Sequence, residues 1–174
     1  MQELEIESIR VRQETQQRAV VLRVKDSNLF LPIFVGHFEV EAIRLKLMDI
    51  EVQRPMTHDL LDSVIYNLGA TVDKIIVSEL KEDTFYAKII VNYDSRTFEI
   101  DARPSDAIAL AVRSGASIFA EESVLEKAGV NIEEKDLEQT TDDDISMLDD
   151  ETGNLSAFSD FIDSLDLENL GESR

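Results

Sequence analysis

One junction organises the rest of the chain, at residues 98–113, which read Phe98-Glu-Ile-Asp-Ala-Arg-Pro-Ser-Asp-Ala-Ile-Ala-Leu-Ala-Val-Arg113. Apolar residues first alternate with polar ones at 98, 100 and 102, which is the period of a half-buried strand. Pro104 cannot continue a central strand, and its fixed φ suits the first turn of a helix. Residues 107–112 are all apolar, which predicts a helix buried on nearly every side.

Four polar residues crowd this junction: Asp101, Arg103, Ser105 and Asp106. The first N–H groups of a helix have no partner inside it, so helix starts favour anions such as phosphate. In one interpretation Arg103 binds phosphate while Asp101 and Asp106 hold a metal ion. In the other, Arg103 and Asp106 form an ion pair that fixes the corner, and Arg113 extends the network on the same helix face.

The composition limits the class and location of the protein. The chain has 174 residues, a formal net charge of −20, two histidines and no cysteine. It is long enough to bury a core, and it can form neither disulfides nor a thiolate zinc site. No apolar run reaches the roughly 18 residues of a membrane span. We therefore expect a cytoplasmic protein without a membrane segment, whose acidity argues against unassisted binding to polyanions.

The charge is uneven along the chain. Residues 131–174 contain 15 acidic and 2 basic residues, which predicts a globular domain at 1–130 followed by a mostly disordered acidic tail. The tail contains a possible amphipathic helix near 156–168, which would either dock on a protein partner or on the chain's own domain, or stay disordered. The apolar residues with helical spacing are Leu155, Phe158, Phe161, Ile162 and Leu165.

Hydrophobic periodicity predicts the order of the helices and strands. Strands are expected at 4–11, 19–24, 29–35, 70–80, 85–92 and 96–102, and helices at 38–48, 57–68, from 104 onward and at 123–128. The order βββαα thus occurs twice, and a constant offset of 65 residues places Glu41 on Asp106. The predicted fold class is α+β, with duplicated βββαα units that share a mixed sheet or barrel.

Two other predicted helix starts carry candidate catalytic residues. His58 and Asp62 lie four residues apart on the helix that Thr57 is expected to cap, with Asp59 beside them. His58 could act as a base with an orienting carboxylate, or it could be part of a metal site. Alternatively, it caps or solvates a helix start while Asp59 complements the helix dipole. Glu39 lies in the first turn of the preceding helix, where an acidic residue is also favoured for structural reasons.

Three ordered blocks are specific enough to compare with known families. They are Leu31-Pro-Ile-Phe-Val-Gly36 with Glu39 and Ala42-Ile43, then Arg54-Pro-Met-Thr-His-Asp-Leu-Leu61, and then Ile100-Asp-Ala-Arg-Pro-Ser-Asp-Ala-Ile-Ala-Leu110. Through these blocks residues 4–130 resemble the bifunctional nuclease domain family. The resemblance implies a duplicated α+β fold, homodimers, and nuclease activity on DNA and RNA. Many members continue into a coiled segment, where this chain has the acidic tail instead.

The first functional interpretation is a nuclease with little sequence preference, assisted by Mg²⁺ or Mn²⁺. Phosphodiester hydrolysis needs a neutralised phosphate, an activated water and a stabilised leaving oxygen. The candidates are His58, Asp59 and Glu39 for catalysis, Arg54, Arg103 and Ser105 for phosphate binding, and Asp101 and Asp106 for the metal. The alternative is a non-enzymatic binding or regulatory module whose acidic tail recruits a partner.

Two further expectations separate these interpretations. The nuclease interpretation expects Arg54, His58, Asp101 and Arg103 to line one cleft, whereas a structural role would scatter or bury them. The tail could also occupy the same groove as a phosphate mimic, held by Arg54, Arg103 or Arg113.

Overall fold

The computed structural model describes residues 1–11 and 17–131. The tail expectations, including the helix near 156–168, therefore lie outside the described residues. The strands are β1 (Gln2–Val11), β2 (Arg18–Val24), β3 (Leu29–Val35), β4 (Thr71–Lys81), β5 (Thr84–Tyr93), β6 (Arg96–Ala102), β7 (Ser117–Ala120) and β8 (Val130–Asn131). The helices are α1 (His37–Leu47), α2 (Thr57–Asn67), α3 (Pro104–Ser114) and α4 (Glu122–Ala128).

The described strands form one eight-stranded mixed sheet in the order β6-β5-β4-β7-β1-β2-β3-β8. Two antiparallel meanders, β1-β2-β3 and β4-β5-β6, lie side by side, with β7 inserted between them. β7 runs parallel to β4 and antiparallel to β1. The α+β class and the mixed sheet are confirmed, but the sheet is not closed, so the alternative of a barrel is wrong.

The predicted duplication is not confirmed. The observed order is βββαα followed by βββαβαβ, because two short strands, β7 and β8, interrupt the second half. The constant offset of 65 residues is also wrong for the best-matched elements. β3 and α1 have the same lengths as β6 and α3, and their bounds agree at an offset of 67. This offset pairs Glu39, not Glu41, with Asp106. Duplication stays a prediction that a superposition of the two halves would test.

The junction at residues 98–113 folds as the sequence predicts, with β6 leading directly into α3. Pro104 occupies the first turn of α3, and the helix ends at Gly115, whose φ of +72° is in the left-handed region that glycine tolerates. The apolar run 107–111 is completely buried. α3 packs against α1 and α2 on one side and against β4 and β5 on the other. It is therefore the central helix of the domain, and its first turn has a fixed position.

Two apolar faces expected to be buried are exposed instead. Phe98 and Ile100 of β6 are 44% and 46% exposed, and within the described part of the chain no residue of α2 is buried. The apolar residues of β6 do alternate, and those of α2 do have helical spacing, but a period does not show what covers the face. In α2 and at its C-cap the apolar residues with this spacing, called the helical stripe, are Leu60, Leu61, Val64, Ile65 and Leu68. The expected cap also differs, since Met56 is the N-cap of α2 and Thr57 is its first helical residue.

Candidate functional site

The first turns of α1 and α2 contact the start of α3. The third residue of each of these helices is acidic: Glu39 in α1, Asp59 in α2 and Asp106 in α3. Acidic side chains in a first turn complement the positive end of the helix dipole, which explains why each is tolerated there. Each of the three also contacts an arginine of α3 or of its N-cap, so the acids have partners beyond their own helices.

Asp106 lies at the centre of the first group of contacts. Its Oδ1 is 3.0 Å from Nε2 of His58, and its Oδ2 accepts a 2.7 Å hydrogen bond from Nε of Arg103. A terminal nitrogen of Arg103 lies 2.8 Å from Oε1 of Glu39. We call these four residues, Glu39, His58, Arg103 and Asp106, the corner cluster.

The charges of the corner cluster determine which ring nitrogen of His58 carries the proton. Burial raises the pKa of Asp106, but the hydrogen bonds from Arg103 and His58 outweigh it and hold the pKa below its usual range. An ionised carboxylate can only accept hydrogen bonds, so Nε2 of His58 carries the shared proton. In the neutral imidazole Nδ1 is then the basic nitrogen. The side chain of His58 is only 12% exposed, whereas that of Arg103 is 66% exposed.

Gly36 leaves the space that Glu39 occupies. The Glu39 carboxylate folds back over the N-cap of α1, so a Cβ on residue 36 would collide with it. Glu39 is 17% exposed in its side chain, and this position lets it reach Arg103 across the α1–α3 contact.

The second group of contacts is structural. Arg113 is 4% exposed, and its Nε donates to Oδ1 of Asp59 at 2.6 Å. Its two terminal nitrogens donate to the carbonyls of Ala109 and Ala42 at 2.8 and 3.0 Å. The other Asp59 oxygen accepts from the backbone N–H of Met56 at 2.8 Å. Arg113 thus ties α1, α2 and α3 together.

The pKa of Asp59 follows from these partners. Burial raises it, but the Met56 N–H and the Arg113 guanidinium lower it by more, so that the net direction is downward. Both oxygens of Asp59 are occupied and Arg113 is buried, so the observed contacts of this pair join the three helices. A catalytic role for Asp59 stays a prediction. Among the described contacts Arg113 pairs with Asp59 and not with Asp106, so the alternative in which it extends the Arg103–Asp106 pair is not observed. A groove that binds the tail stays a prediction, because the tail lies outside the described residues.

The remaining predicted site residues lie outside the corner cluster. Arg54 is exposed in the loop before α2, and Asp101 is exposed on β6, where it pairs in register with Lys88. Ser105 is beside the cluster but only 7% exposed. Of the four residues expected to line one cleft, the contacts of the described residues join His58 and Arg103 through Asp106, and they include neither Arg54 nor Asp101.

Sequence reasoning missed the partner of His58. The expected orienting carboxylate was Asp62, one helical turn away, but the contact is with Asp106, 48 residues further along the chain. A spacing of four residues is visible in the sequence, whereas a contact between two helices is not. The ion pair of Arg103 with Asp106 was one of the two open interpretations, and the structure contains it.

Two of the cavities among the described residues, of about 550 and 470 Å³, are lined by no residue of the corner cluster. In the same part of the chain no group of three or more His, Cys, Asp or Glu residues could hold a metal ion. The described helices include none that is long and apolar enough to cross a membrane.

Comparison with known proteins defines the family. The model of the "Bifunctional nuclease domain" family matches residues 20–133. The chain belongs to this family, as the three sequence blocks predict.

Relatives occur in bacteria and plants. The chain is 38% identical over 166 residues, 95% of each chain, to "Uncharacterized protein Rv1829" of Mycobacterium tuberculosis. It is 25% identical over 128 residues to "Bifunctional nuclease 1" of Oryza sativa subsp. japonica. It is 27% identical over 99 residues to "Bifunctional nuclease 1" of Arabidopsis thaliana. These matches cover 71% and 55% of this chain, but only 39% and 30% of the two plant proteins.

Proposed function

We propose that this protein is a nuclease that hydrolyses phosphodiester bonds in DNA and RNA with little sequence preference. The observation that carries the proposal is the corner cluster, in which an exposed arginine and an oriented histidine share Asp106 within 3.0 Å. Arginine holds phosphate oxygens in two-point contacts, and histidine transfers protons near neutral pH. Family membership and the plant relatives named as nucleases support the same activity.

In the proposed mechanism each cluster residue has one role. Arg103 uses two of its nitrogens on Glu39 and Asp106, and since a guanidinium has five N–H donors, others remain for a phosphate oxygen. Nδ1 of His58 would take the proton of the attacking water as the water oxygen bonds to phosphorus. The P–O bond to the sugar oxygen would break, and that leaving oxygen would take a proton from solvent water. Asp106 would keep Nε2 protonated and stabilise the imidazolium that forms, which is the task of the carboxylate in a catalytic triad.

The metal assignment stays a proposal. Both oxygens of Asp106 are engaged by His58 and Arg103, and Asp101 lies apart from the cluster, so the described side chains as arranged do not provide a protein-built metal site. Mg²⁺ often binds through one or two carboxylates together with substrate phosphates. Asp106 is the carboxylate that could join such a complex after releasing one of its present partners.

The proposed homodimer has a suitable surface on α2. Leu60, Val64 and Leu68 are 59%, 45% and 69% exposed, and within the described chain this eleven-residue helix buries no residue. Most helical stability comes from packing an apolar face, so an uncovered amphipathic helix is unfavourable in isolation. We propose that a second copy of the chain covers this face. Docking of the tail remains a separate prediction outside the described residues.

A cleavage assay on purified full-length protein tests the proposed function. Single-stranded DNA, double-stranded DNA and RNA would each be incubated with Mg²⁺, Mn²⁺ or EDTA. Cleavage of all three classes, in proportion to enzyme concentration, is the expected result. Binding without cleavage under every condition would favour the regulatory alternative instead.

A further inference from the structure

Phe38 immediately precedes Glu39 of the corner cluster, and its side chain is strongly exposed. It is 82% exposed, which is more than any other large apolar side chain that the structure describes. The ring of His37 lies against it, with centroids 5.5 Å apart and planes tilted by 51°. Two neighbouring rings at a helix start thus present an aromatic surface to solvent, where burial of the phenyl ring contributes nothing to the fold.

The position of Phe38 links this surface to the phosphate-binding candidate. Phe38 directly precedes Glu39, whose carboxylate is 2.8 Å from the Arg103 guanidinium. Arg103 is 66% exposed, whereas the other arginine of this region, Arg113, is buried. An exposed aromatic residue and an exposed cation are therefore connected through Glu39, which follows Phe38 in the first turn of α1 and pairs with Arg103. Proteins that bind single-stranded nucleic acids combine these two features, a charge for the backbone and a ring for the base.

We propose that Phe38, supported by His37, stacks on a nucleobase of single-stranded DNA or RNA whose phosphate binds Arg103. The inference rests on the proposed nuclease function and adds a preference to it, namely for unpaired nucleotides. Every base has a π face, so stacking tolerates any sequence, as a nuclease with little sequence preference requires. In a duplex the bases are already stacked on each other, so the platform gains less from it.

The acidic surroundings make the aromatic contact important. Arg103 faces Glu39 and Asp106, so a phosphate at this site meets two carboxylates as well as one guanidinium. The formal net charge of the chain is −20, which opposes polyanion binding further. Electrostatic attraction to the backbone is therefore weak here, and stacking, which does not depend on net charge, would carry more of the affinity.

The test uses full-length protein and three fluorescein-labelled probes, with binding followed by anisotropy in EDTA. The probes are a mixed-sequence single strand of about twelve nucleotides, an abasic strand of equal length, and the corresponding duplex. Stacking on one base changes affinity by about 5- to 150-fold, from about 1–3 kcal/mol. We expect wild type to bind the single strand more tightly than the other probes. Phe38→Ala should lose that advantage without weakening binding to the abasic strand.

Substitutions at the same position separate stacking from apolar contact. Phe38→Trp retains a π face and should bind the single strand at least as well as wild type, whereas Phe38→Leu keeps an apolar side chain without a ring and should behave like Phe38→Ala. Tyr66→Ala removes another exposed aromatic ring, 77% exposed on α2, and serves as the matched control that should leave affinity unchanged.

The outcomes distinguish this inference from the proposed function. If wild type cleaves nucleic acids but Phe38→Ala retains full affinity for the single strand, the stacking inference is overturned and the nuclease proposal stands. Equal affinity of Phe38→Leu and wild type would also overturn it. If Phe38→Ala changes only the sedimentation coefficient, the ring belongs to a contact between copies and not to a nucleotide site. If wild type neither binds nor cleaves any probe, both proposals fail.

Discussion

Nε2 of His58 and Oδ1 of Asp106 are 3.0 Å apart, although 48 residues separate them in the sequence. The contact joins the first turn of α2 to the first turn of α3. Because Asp106 also binds Arg103, a single carboxylate sets the position of both the proton-transfer candidate and the phosphate-binding candidate. The chemistry proposed for this protein depends on that shared contact.

Asp106→Asn should lower the cleavage rate by about 10²-fold if Asp106 positions His58. The asparagine amide can either donate or accept the hydrogen bond with His58, so the substituted side chain no longer requires the imidazole proton to be on Nε2. Imidazole ¹⁵N NMR should therefore show the Nε2–H tautomer of His58 in wild type and a loss of that preference in the variant.

Asp101→Asn is the matched comparison for this variant. If Asp101 and Asp106 hold a metal together, both substitutions should reduce the rate to a similar extent. If Asp106 instead orients His58, only the substitution at Asp106 should do so. A slow Asp106→Asn enzyme with an unchanged His58 tautomer would contradict the positioning role.

Arg113→Met should destabilise the fold by about 1–3 kcal/mol, because Oδ1 of Asp59 and the Ala42 carbonyl both lose the guanidinium that donates to them. The free energy of unfolding from urea titrations measures the change. Arg44→Met removes the exposed pair with Glu41 and should have far less effect. A loss no larger than that of the control would show that Arg113 does not join the helices.

Acid should weaken the fold through the two carboxylates with lowered pKa values, Asp59 and Asp106. A lowered folded-state pKa contributes stability that is fully present above the unfolded value of about 3.9 and is lost as pH falls through the folded value. The urea midpoint should therefore decrease below about pH 4. Asp59→Asn should make this decrease shallower, and an identical slope in the variant and wild type would contradict the assignment.

Leu60→Asp combined with Leu68→Asp should convert a dimer to a monomer in sedimentation velocity. Both side chains are exposed on α2, so the charges cost little in the isolated protomer but much in an apolar contact. Val11→Asp alters a similarly exposed apolar residue on β1 and is the control. A wild-type protein that is monomeric at high micromolar concentration would rule out this interface.

The sequence predicts the elements well where the signal is local. Pro104 and the apolar run at 107–112 define the start and burial of α3, and both are visible in one short window. The helical stripe of α2 correctly predicts a helix, but the same stripe fits a covered core face and an exposed one. β7 has only four residues, which are too few to show the alternation of a strand. The sequence therefore does not reveal that this strand interrupts the predicted second βββαα unit.

The sequence identifies the candidate site residues better than it predicts the contacts between them. Glu39, His58 and Asp106 could be identified as candidates because each lies at a predicted helix start, where polar residues cluster. The pairing of His58 with Asp106 depends on how α2 packs against α3, and that is set by side chains spread over both helices. Arg113 shows the same limit, since its position on α3 is evident from the sequence but its contact with Asp59 is not.

The most direct test of the central claim compares the cleavage rates of wild type and His58→Gln on a single-stranded DNA oligonucleotide with Mg²⁺ or Mn²⁺. Asp62→Asn is the matched control on the same helix, and thermal melting would establish that all three proteins are folded. We predict a loss of at least about 100-fold for His58→Gln and a rate near wild type for Asp62→Asn. Equal cleavage by wild type and folded His58→Gln would contradict the proposal that the corner cluster performs the chemistry.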